Sequence, residues 1–513
     1  MASAPALLPT EADVPLYPVR NHRLMMLGVM IAALLQILDT TIANVAVPHM
    51  QTSLGANADT INWVLTSYIV AAAIAMPITG WLAERVGTRR LFIWSVAGFI
   101  ISSMLCGMAQ NMTSMVIFRA LQGVTGSFIS PLSQAAMIDS TKPSRQPQMM
   151  ALWGMSVMIG PILGPIMGGW LTEEWNWRWV FYINLPLGIV SLVILIAELP
   201  DRPRSERRFD MFGFALVALA LGSLQLLLDR GNHLDWFESL EIWIYAAITV
   251  SATWIGMIHL TTTSDPLFRR ELFADPNFAV SLLLMIVVGM VMMASMALLP
   301  PMMQHLFGYS VIDTGWALMP RGVGTLISMQ VSGILVRRGV DARPIMMLGF
   351  LLAGISLWMM SGWSLEVDSW HILVTGVIQG LGMGLVFIPL NNAAFSTLPP
   401  TMRTEGASLL NLSRSLGASV GISICTTLFA RNVQISHADL ATHVDGSFTE
   451  AIDITTIDRF QAVGETAVRM IDGEVTRQAM MVAYINDFYA MAWVTLAAVP
   501  IVLLMRKVTL PRP

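Results

Sequence analysis

The chain has 513 residues, 55% of them hydrophobic and only 12% charged, with a net charge of −4. A soluble domain carries about 25% charged residues, so a chain this long and this apolar covers its surface with lipid. The net charge says little about partners, but there is no basic cluster of the kind that holds nucleic acid.

The first twenty residues are proline-rich and lack a signal-peptide pattern, so the first apolar run reads as a retained membrane helix. Fourteen stretches approach the roughly 20 apolar residues that cross a bilayer. They lie at 24–48, 60–82, 91–109, 113–138, 149–172, 179–198, 211–229, 239–261, 277–300, 311–335, 343–362, 369–395, 405–430 and 480–505. An even number puts both termini on one side. With the termini in the cytoplasm, twenty lysines and arginines fall in inner segments. Only Arg178, Arg230, Arg431, Arg459, Arg469 and Arg477 fall outside, and the last four share one long loop where the charge rule is weak. The expected fold is an all-α integral membrane protein of fourteen transmembrane helices with cytoplasmic ends.

In chain order, the first span carries Asp39, with Gln36 and Asn44 on the same helix. Asp39 is the one acid deep within the first twelve spans. The second span adds Trp63 and Tyr68. After it, GWLAERVGTRR (80–90) sets Gly80 and Gly87 beside Glu84, Arg85, Arg89 and Arg90. Gly80 admits close contact with a helix of the other half. The charges can pair with one another and with a helix end, and breaking such pairs would work a gate. The plainer reading is a positive-inside loop.

The fourth span holds RALQGVTGS (119–127), with Arg119 and Gln122. An arginine inside a span is costly and is normally paired or functional. At about 1.5 Å per residue, Asp39 stands roughly 22 Å above the inner end of its helix. Arg119 lies roughly 9 Å below the outer end of its own. In a core about 30 Å thick these heights nearly coincide, so the two are expected to interact or to share a water-filled cavity. A nearby arginine favours the charged carboxylate and burial opposes it. An acid balanced between them can take and release a proton. The other reading is a static ion pair that orders the first and fourth helices.

The fifth span contains Trp153 and then GPILGPIMGG (160–169). Gly160, Gly164 and Gly168 recur every four residues and form one stripe, with Gly169 beside it. Small stripes let membrane helices approach closely, and Pro161 and Pro165 bend the helix, which a membrane bundle tolerates.

The second half weakly repeats the first. GWLAERVG (80–87) is echoed by GILVRRG (333–339), and RALQG (119–123) by GVIQG (376–380). Spans 1–6 thus correspond to 9–14, with spans 7–8 as an insert, a pattern of secondary transporters. The division is a tail at 1–23, a six-helix bundle at 24–198 and a two-helix insert at 211–261. A second bundle follows at 277–505, with an outer loop at 431–479, then a tail at 506–513. The counterpart of Arg119 is Gly376, which confines proton handling by this motif to the first half. Arg321 and Arg414 lie within spans and are candidates to hold an anionic substrate or a partner carboxylate. Asp487, near the outer end of the last span, reads as a solvated acid or as a site. Gln36, Asn44, Trp63, Tyr68, Gln122, Trp153, Arg321 and Arg414 are the candidate cavity residues.

The chain is not read as an enzyme. Its two lysines, Lys142 and Lys507, do not follow the glycine that a phosphate loop requires. Its eight histidines show no metal-ligand spacing. No metal and no cofactor are expected.

These motifs, found together and in order, resemble the major facilitator superfamily, and within it the 14-helix drug:proton antiporters of the EmrB/QacA type. LQILDTTIANVAVP (35–48), WRWVFYINLPLG (177–188) and LDRGNHLDWF (228–237) add to the likeness, which covers nearly the whole chain. The resemblance implies a major facilitator fold and proton-driven export of lipophilic compounds across a bacterial inner membrane. It makes 80–90 the cytoplasmic gate, although that family usually has Asp where Glu84 stands. It makes the stripe from Gly160 to Gly169 the antiporter motif, which seals the two halves together in one transport state. It makes the 431–479 loop the face for a periplasmic membrane-fusion adaptor of the EmrA type, which leads to an outer-membrane channel. A dedicated exporter of one metabolite or siderophore has the same fold. A sensor that lost transport would not need Asp39, Arg119 and the stripe.

Overall fold

The computed structural model describes residues 13–202, 204, 207–443 and 457–507. Its long helices are α1 (His22–Ser53), α2 (Trp63–Val86), α3 (Thr88–Met108), α4 (Met112–Asp139), α5 (Pro143–Glu174), α6 (Trp179–Glu198), α7 (Met211–Leu234) and α8 (Leu240–Thr262). They continue with α9 (Pro276–His305), α10 (Val311–Arg337), α11 (Ala342–Met360), α12 (Ser369–Ser396), α13 (Arg403–Thr442) and α14 (Ile457–Ile501).

Thirteen helices among the described residues are long and apolar enough to cross a membrane, so the chain is a multi-pass membrane protein. The expected tenth span forms α10, which is 27 residues long but falls outside that set. Asp313, Arg321, Arg337 and glycines 315, 322, 324 and 333 dilute its apolar run.

The helices pack in two matching patterns. α1 lies against α5 and α6, α2 against α4, and α3 against α4 and α6. Likewise α9 lies against α13 and α14, α10 against α12, and α11 against α12 and α14. The two patterns meet where α5 runs along α10 and where α13 meets α4 and the inner end of α2. α7 packs on α2 and α13, while α8 packs on α7 and is otherwise largely exposed. The exposed side chains of α8 include Trp243, Val250, Trp254 and Met257, a composition suited to lipid.

The expected outer loop is mostly helix. α13 continues to Thr442 and the next helix begins at Ile457, with residues 444–456 outside those described. His437 and Asp472 link the two extensions at 3.0 Å. The tails at 1–12 and 508–513 also lie outside the described residues.

Candidate functional site

Asp39 and Arg119 meet, as their heights in the bilayer predict. Arg119 Nη1 donates to Asp39 Oδ2 at 2.7 Å, and both side chains are buried. The other carboxylate oxygen accepts from Gln122 Nε2 at 2.8 Å and from Asn184 Nδ2 at 2.7 Å. Arg119 also donates to Gln122 Oε1 at 2.8 Å and, through Nε, to the Val64 carbonyl at 3.0 Å. Its guanidinium lies 4.6 Å from the centre of the Tyr68 ring. A second bond from Asn184 runs to Ser103 Oγ at 2.9 Å, and Ser103 in turn donates to the Phe181 carbonyl. Helices α4 and α6 thus bond the carboxylate on α1, while α2 and α3 brace the side chains that do so. Each charge is paired and hydrogen-bonded, which is what makes an ion pair tolerable away from water.

Sequence reasoning missed Asn184 and Ser103. Asn184 sits in WRWVFYINLPLG, and an asparagine inside an apolar span was the signal that marked it.

A second polar set bridges the halves. Gln134 Nε2 donates to Asn391 Oδ1 at 2.6 Å, and Asn411 Nδ2 donates to Gln134 Oε1 at 3.0 Å. Arg414 Nη2 reaches Asn411 Oδ1 at 3.3 Å. Trp153 donates to Ser133 Oγ at 2.9 Å and stacks on Phe387 of the other half, with ring centres 6.4 Å apart. Gln36 accepts from Ser130 Oγ at 2.6 Å. These candidate cavity residues therefore lie between or beside the halves. Arg321 lies with its backbone beside Gly376, the counterpart of Arg119, and its Nη2 reaches the Met292 carbonyl at 3.4 Å. Neither Arg321 nor Arg414 has a carboxylate partner among the described residues. Two candidates stand apart. Asn44 is exposed. Trp63 lines a small outer cavity of about 140 Å³ with Asn62, Thr66, Asp229, Arg230 and His233.

The charged 80–90 segment pairs with residues from elsewhere in the chain. A β-carbon at Gly80 would come within 2.9 Å of Glu405 on α13. Glu84 pairs with Arg269 at 2.7 Å and not with the arginines of its own loop. Arg269 also donates its backbone N–H to Glu405 at 2.6 Å, and Arg207 approaches Glu405 at 3.6 Å. Arg89 caps a helix end, donating to the Ile196 carbonyl at 2.6 Å, whereas Arg85 and Arg90 are exposed. Gly87 has φ +100°, which a side chain rarely adopts, and so turns the chain from α2 into α3. Nearby, Asp139 binds Arg202 at 3.0 Å and Arg403 of the other half at 2.7 Å. Arg202, Arg207 and Arg269 all come from the linkers on either side of the α7–α8 pair. At this end of the bundle the pairs of Arg403 with Asp139 and of Arg269 with both Glu84 and Glu405 tie the two halves together.

The glycine stripe departs from expectation. It faces α1 of its own half and not the other half. A β-carbon at Gly160 would meet Ile37 at 2.8 Å, one at Gly164 would strike Thr41, and one at Gly168 would meet the Ile42 carbonyl at 3.2 Å. The same seam recurs where Gly417 and Gly421 of α13 press on Ile286 and Met290 of α9. Pro161 is buried, whereas Pro165 and Gly169 are half-buried. The contact between halves along α5 instead uses glycines of α10: Gly315 receives Ile166, Gly322 receives Ile162, and Gly333 receives Ala151.

Asp487 is fully buried and not solvated, because α11 and α13 pack over it.

Residues 29–422 match the family model described as Major Facilitator Superfamily. The chain is 32% identical to the multidrug export protein EmrB of Escherichia coli (strain K12), over 93% of this chain and 94% of that protein. It is 33% identical to the fatty acid resistance protein FarB of Neisseria gonorrhoeae, over 92% and 94%. The solved proton:xylose symporter XylE, bound to 6-bromo-6-deoxy-D-glucose, superimposes with a TM-score of 0.63 at 13% identity, covering 96% of this chain and 98% of that one. The last likeness is one of fold.

Proposed function

Because the chain belongs to the major facilitator superfamily and is a transporter, not an enzyme, we propose that it exports lipophilic drugs or toxic compounds across a bacterial inner membrane in exchange for protons. Fourteen spanning helices, arranged as six, two and six with cytoplasmic ends, would carry the exchange by alternating access, with no cofactor. The observation that carries this reading is the buried carboxylate of Asp39, held by Arg119, Gln122 and Asn184. A scaffold gains nothing from such a costly group, whereas an exchanger needs one that can be emptied and refilled. The ion pairs at the end that holds the 80–90 segment support the other requirement, a barrier that would open before Asp39 meets the cytoplasm.

The export of drugs rests on the relatives, whose names describe multidrug export and fatty acid resistance. Arg321 and Arg414, unmatched by carboxylates, suit substrates that carry a negative group. The helical extensions of α13 and α14 would meet a periplasmic adaptor of the EmrA type, leading to an outer-membrane channel.

The test is proton movement in inside-out vesicles. An acid-inside gradient is followed with a pH-sensitive dye while lipophilic compounds are added one at a time. Several unrelated compounds should collapse the gradient with the wild-type chain and none with Asp39→Asn. Collapse by a single metabolite alone would replace drug export with a dedicated exporter. An Asp39→Asn chain that exchanges protons like wild type would remove Asp39 from the coupling.

A further inference from the structure

Asp487 lies on α14, out of contact with solvent. Neither of its carboxylate oxygens has a hydrogen-bond partner among the described residues. Around it are Tyr484 one turn back, Cys425 on α13, and Phe488, whose ring meets Trp363 at 6.0 Å. The packed helices offer it no counter-charge. α9 carries only His305 and α11 only Arg343, each at a helix end. α13 has Arg403, Glu405, Arg431, His437 and Asp439 toward its ends, its Arg414 bonds Asn411, and on α14 itself Arg469 and Arg477 lie ten or more residues before Asp487.

The contrast with Asp39 is direct. Asp39 accepts from three side chains, whereas Asp487 accepts from none. The internal repeat puts Asp487 next to the counterpart of Asn184, a residue that serves Asp39. Tyr182-Ile183-Asn184 of α6 recurs as Tyr484-Ile485-Asn486 of α14. In α6 the inward polar side chain is Asn184, which serves Asp39. In α14 Asn486 is exposed and the inward polar side chain is Asp487, one residue on. On the matching first helix of that half, Ser295 stands where Asp39 would be, and Gln379, the counterpart of Gln122, donates to it at 3.1 Å. The second half thus has an acid on its last helix instead of its first, without the arginine.

A carboxylate with no partner, away from water, is strongly disfavoured in its charged form, and such a group is neutralised instead. The charge must be cancelled from outside the chain. We propose that Asp487 is a second exchangeable site, which takes up one positive charge, a proton or the cationic group of a lipophilic substrate, from the side that bears the 431–479 segment. It stands seven residues below residue 480, a path of roughly 10 Å along the helix. This rests on the transport reading, and it gives the exchanger one loadable acid in each half.

The probe is dicyclohexylcarbodiimide, which modifies protonated carboxyls in apolar surroundings. The full wild-type chain in liposomes is treated across a range of pH, and adducts are mapped by peptide mass spectrometry. The adduct on Asp487 is expected, falling about tenfold per pH unit once the group titrates, and absent in Asp487→Asn. Tetraphenylphosphonium, a lipophilic cation with no exchangeable proton, separates the two sources. Protection by it assigns the site to substrate cations as well, and lack of protection assigns it to protons alone. An unlabelled Asp487 at every pH, or a yield that ignores pH, overturns the proposal, since the group is then a fixed structural acid. Failure of the transport reading shows elsewhere, as unchanged proton exchange in Asp39→Asn.

Discussion

Gly80 and Glu405 stand so close that one added carbon on the glycine would press within 2.9 Å of the glutamate's own β-carbon. The two residues belong to opposite halves, and Glu405 is buried between Arg207 and Arg269. Gly80→Val should therefore force the inner face apart. Gln134→Cys, placed in the bridge between the halves, reports it. An impermeant maleimide added from the cytoplasmic side should label that cysteine several-fold faster when Gly80→Val is present. Equal rates would mean that the contact does not hold the face shut.

Asp39→Asn leaves Arg119 buried without its counter-charge, a change that costs about 3–5 kcal/mol when a buried pair loses one member. Asp39→Asn with Arg119→Gln removes both charges and should recover most of that stability in a melting assay. Exchange of protons should remain absent in the double variant. Recovery of transport along with stability would reduce the pair to an ordering role.

The glycines of the two seams should differ in severity. A β-carbon at Gly164 meets the movable Thr41 side chain, whereas one at Gly417 meets the backbone of Ile286. Overpacking costs about 1–3 kcal/mol, and the backbone cannot step aside. Gly417→Ala should lower the melting temperature of the purified chain more than Gly164→Ala. The reverse order would show that α9 and α13 slide apart more easily than α1 and α5.

Arg414→Gln should weaken export of lipophilic carboxylates by tenfold or so, a loss of about 1.4 kcal/mol of interaction, and leave neutral compounds nearly untouched. Export rates for a carboxylate and its methyl ester, compared in one vesicle preparation, decide it. A uniform loss would place Arg414 in the bridge and not in substrate binding.

Asp210 caps the start of α7. Burial works against its charge, yet bonds from the Gly213 and Leu267 N–H groups and from His259 hold its carboxyl below the usual carboxylate range. A depressed acid contributes stability above its ordinary value and loses it as pH falls through the lower, folded value. Wild type should thus melt higher than Asp210→Asn at neutral pH, with the gap closing in acid. A gap that persists in acid would assign the cap to geometry and not to charge.

Some of this was legible in the sequence and some was not, for physical reasons. The rise per residue of a helix is fixed, so counting from the ends of α1 and α4 brought Asp39 and Arg119 to one height. Spacing by four placed Gly160, Gly164 and Gly168 on one face, but spacing names no neighbour, and α1 proved to be the one. Glu84 lay beside three arginines in its loop, yet chose Arg269, because linkers fold back in ways that local charge patterns do not record. Asp487 sits near the end of an apolar run, where hydropathy suggests water. Its burial depends on helices far away in the chain.

One further consequence lies in how α7 is fastened. On one side Thr66 of α2 bonds Asp229. On the other, Ser423 of α13 donates to the Leu228 carbonyl at 2.9 Å, and Trp236, just past α7, donates to Thr427 at 3.1 Å. The linkers before α7 and after α8 lend their arginines to Asp139, Glu84 and Glu405 at the opposite face. The α7–α8 pair is thus fastened to both halves at both ends, like a connecting rod. Excision of residues 211–261 would therefore remove the ties at one end and leave the linker arginines at the other end without the helices that position them.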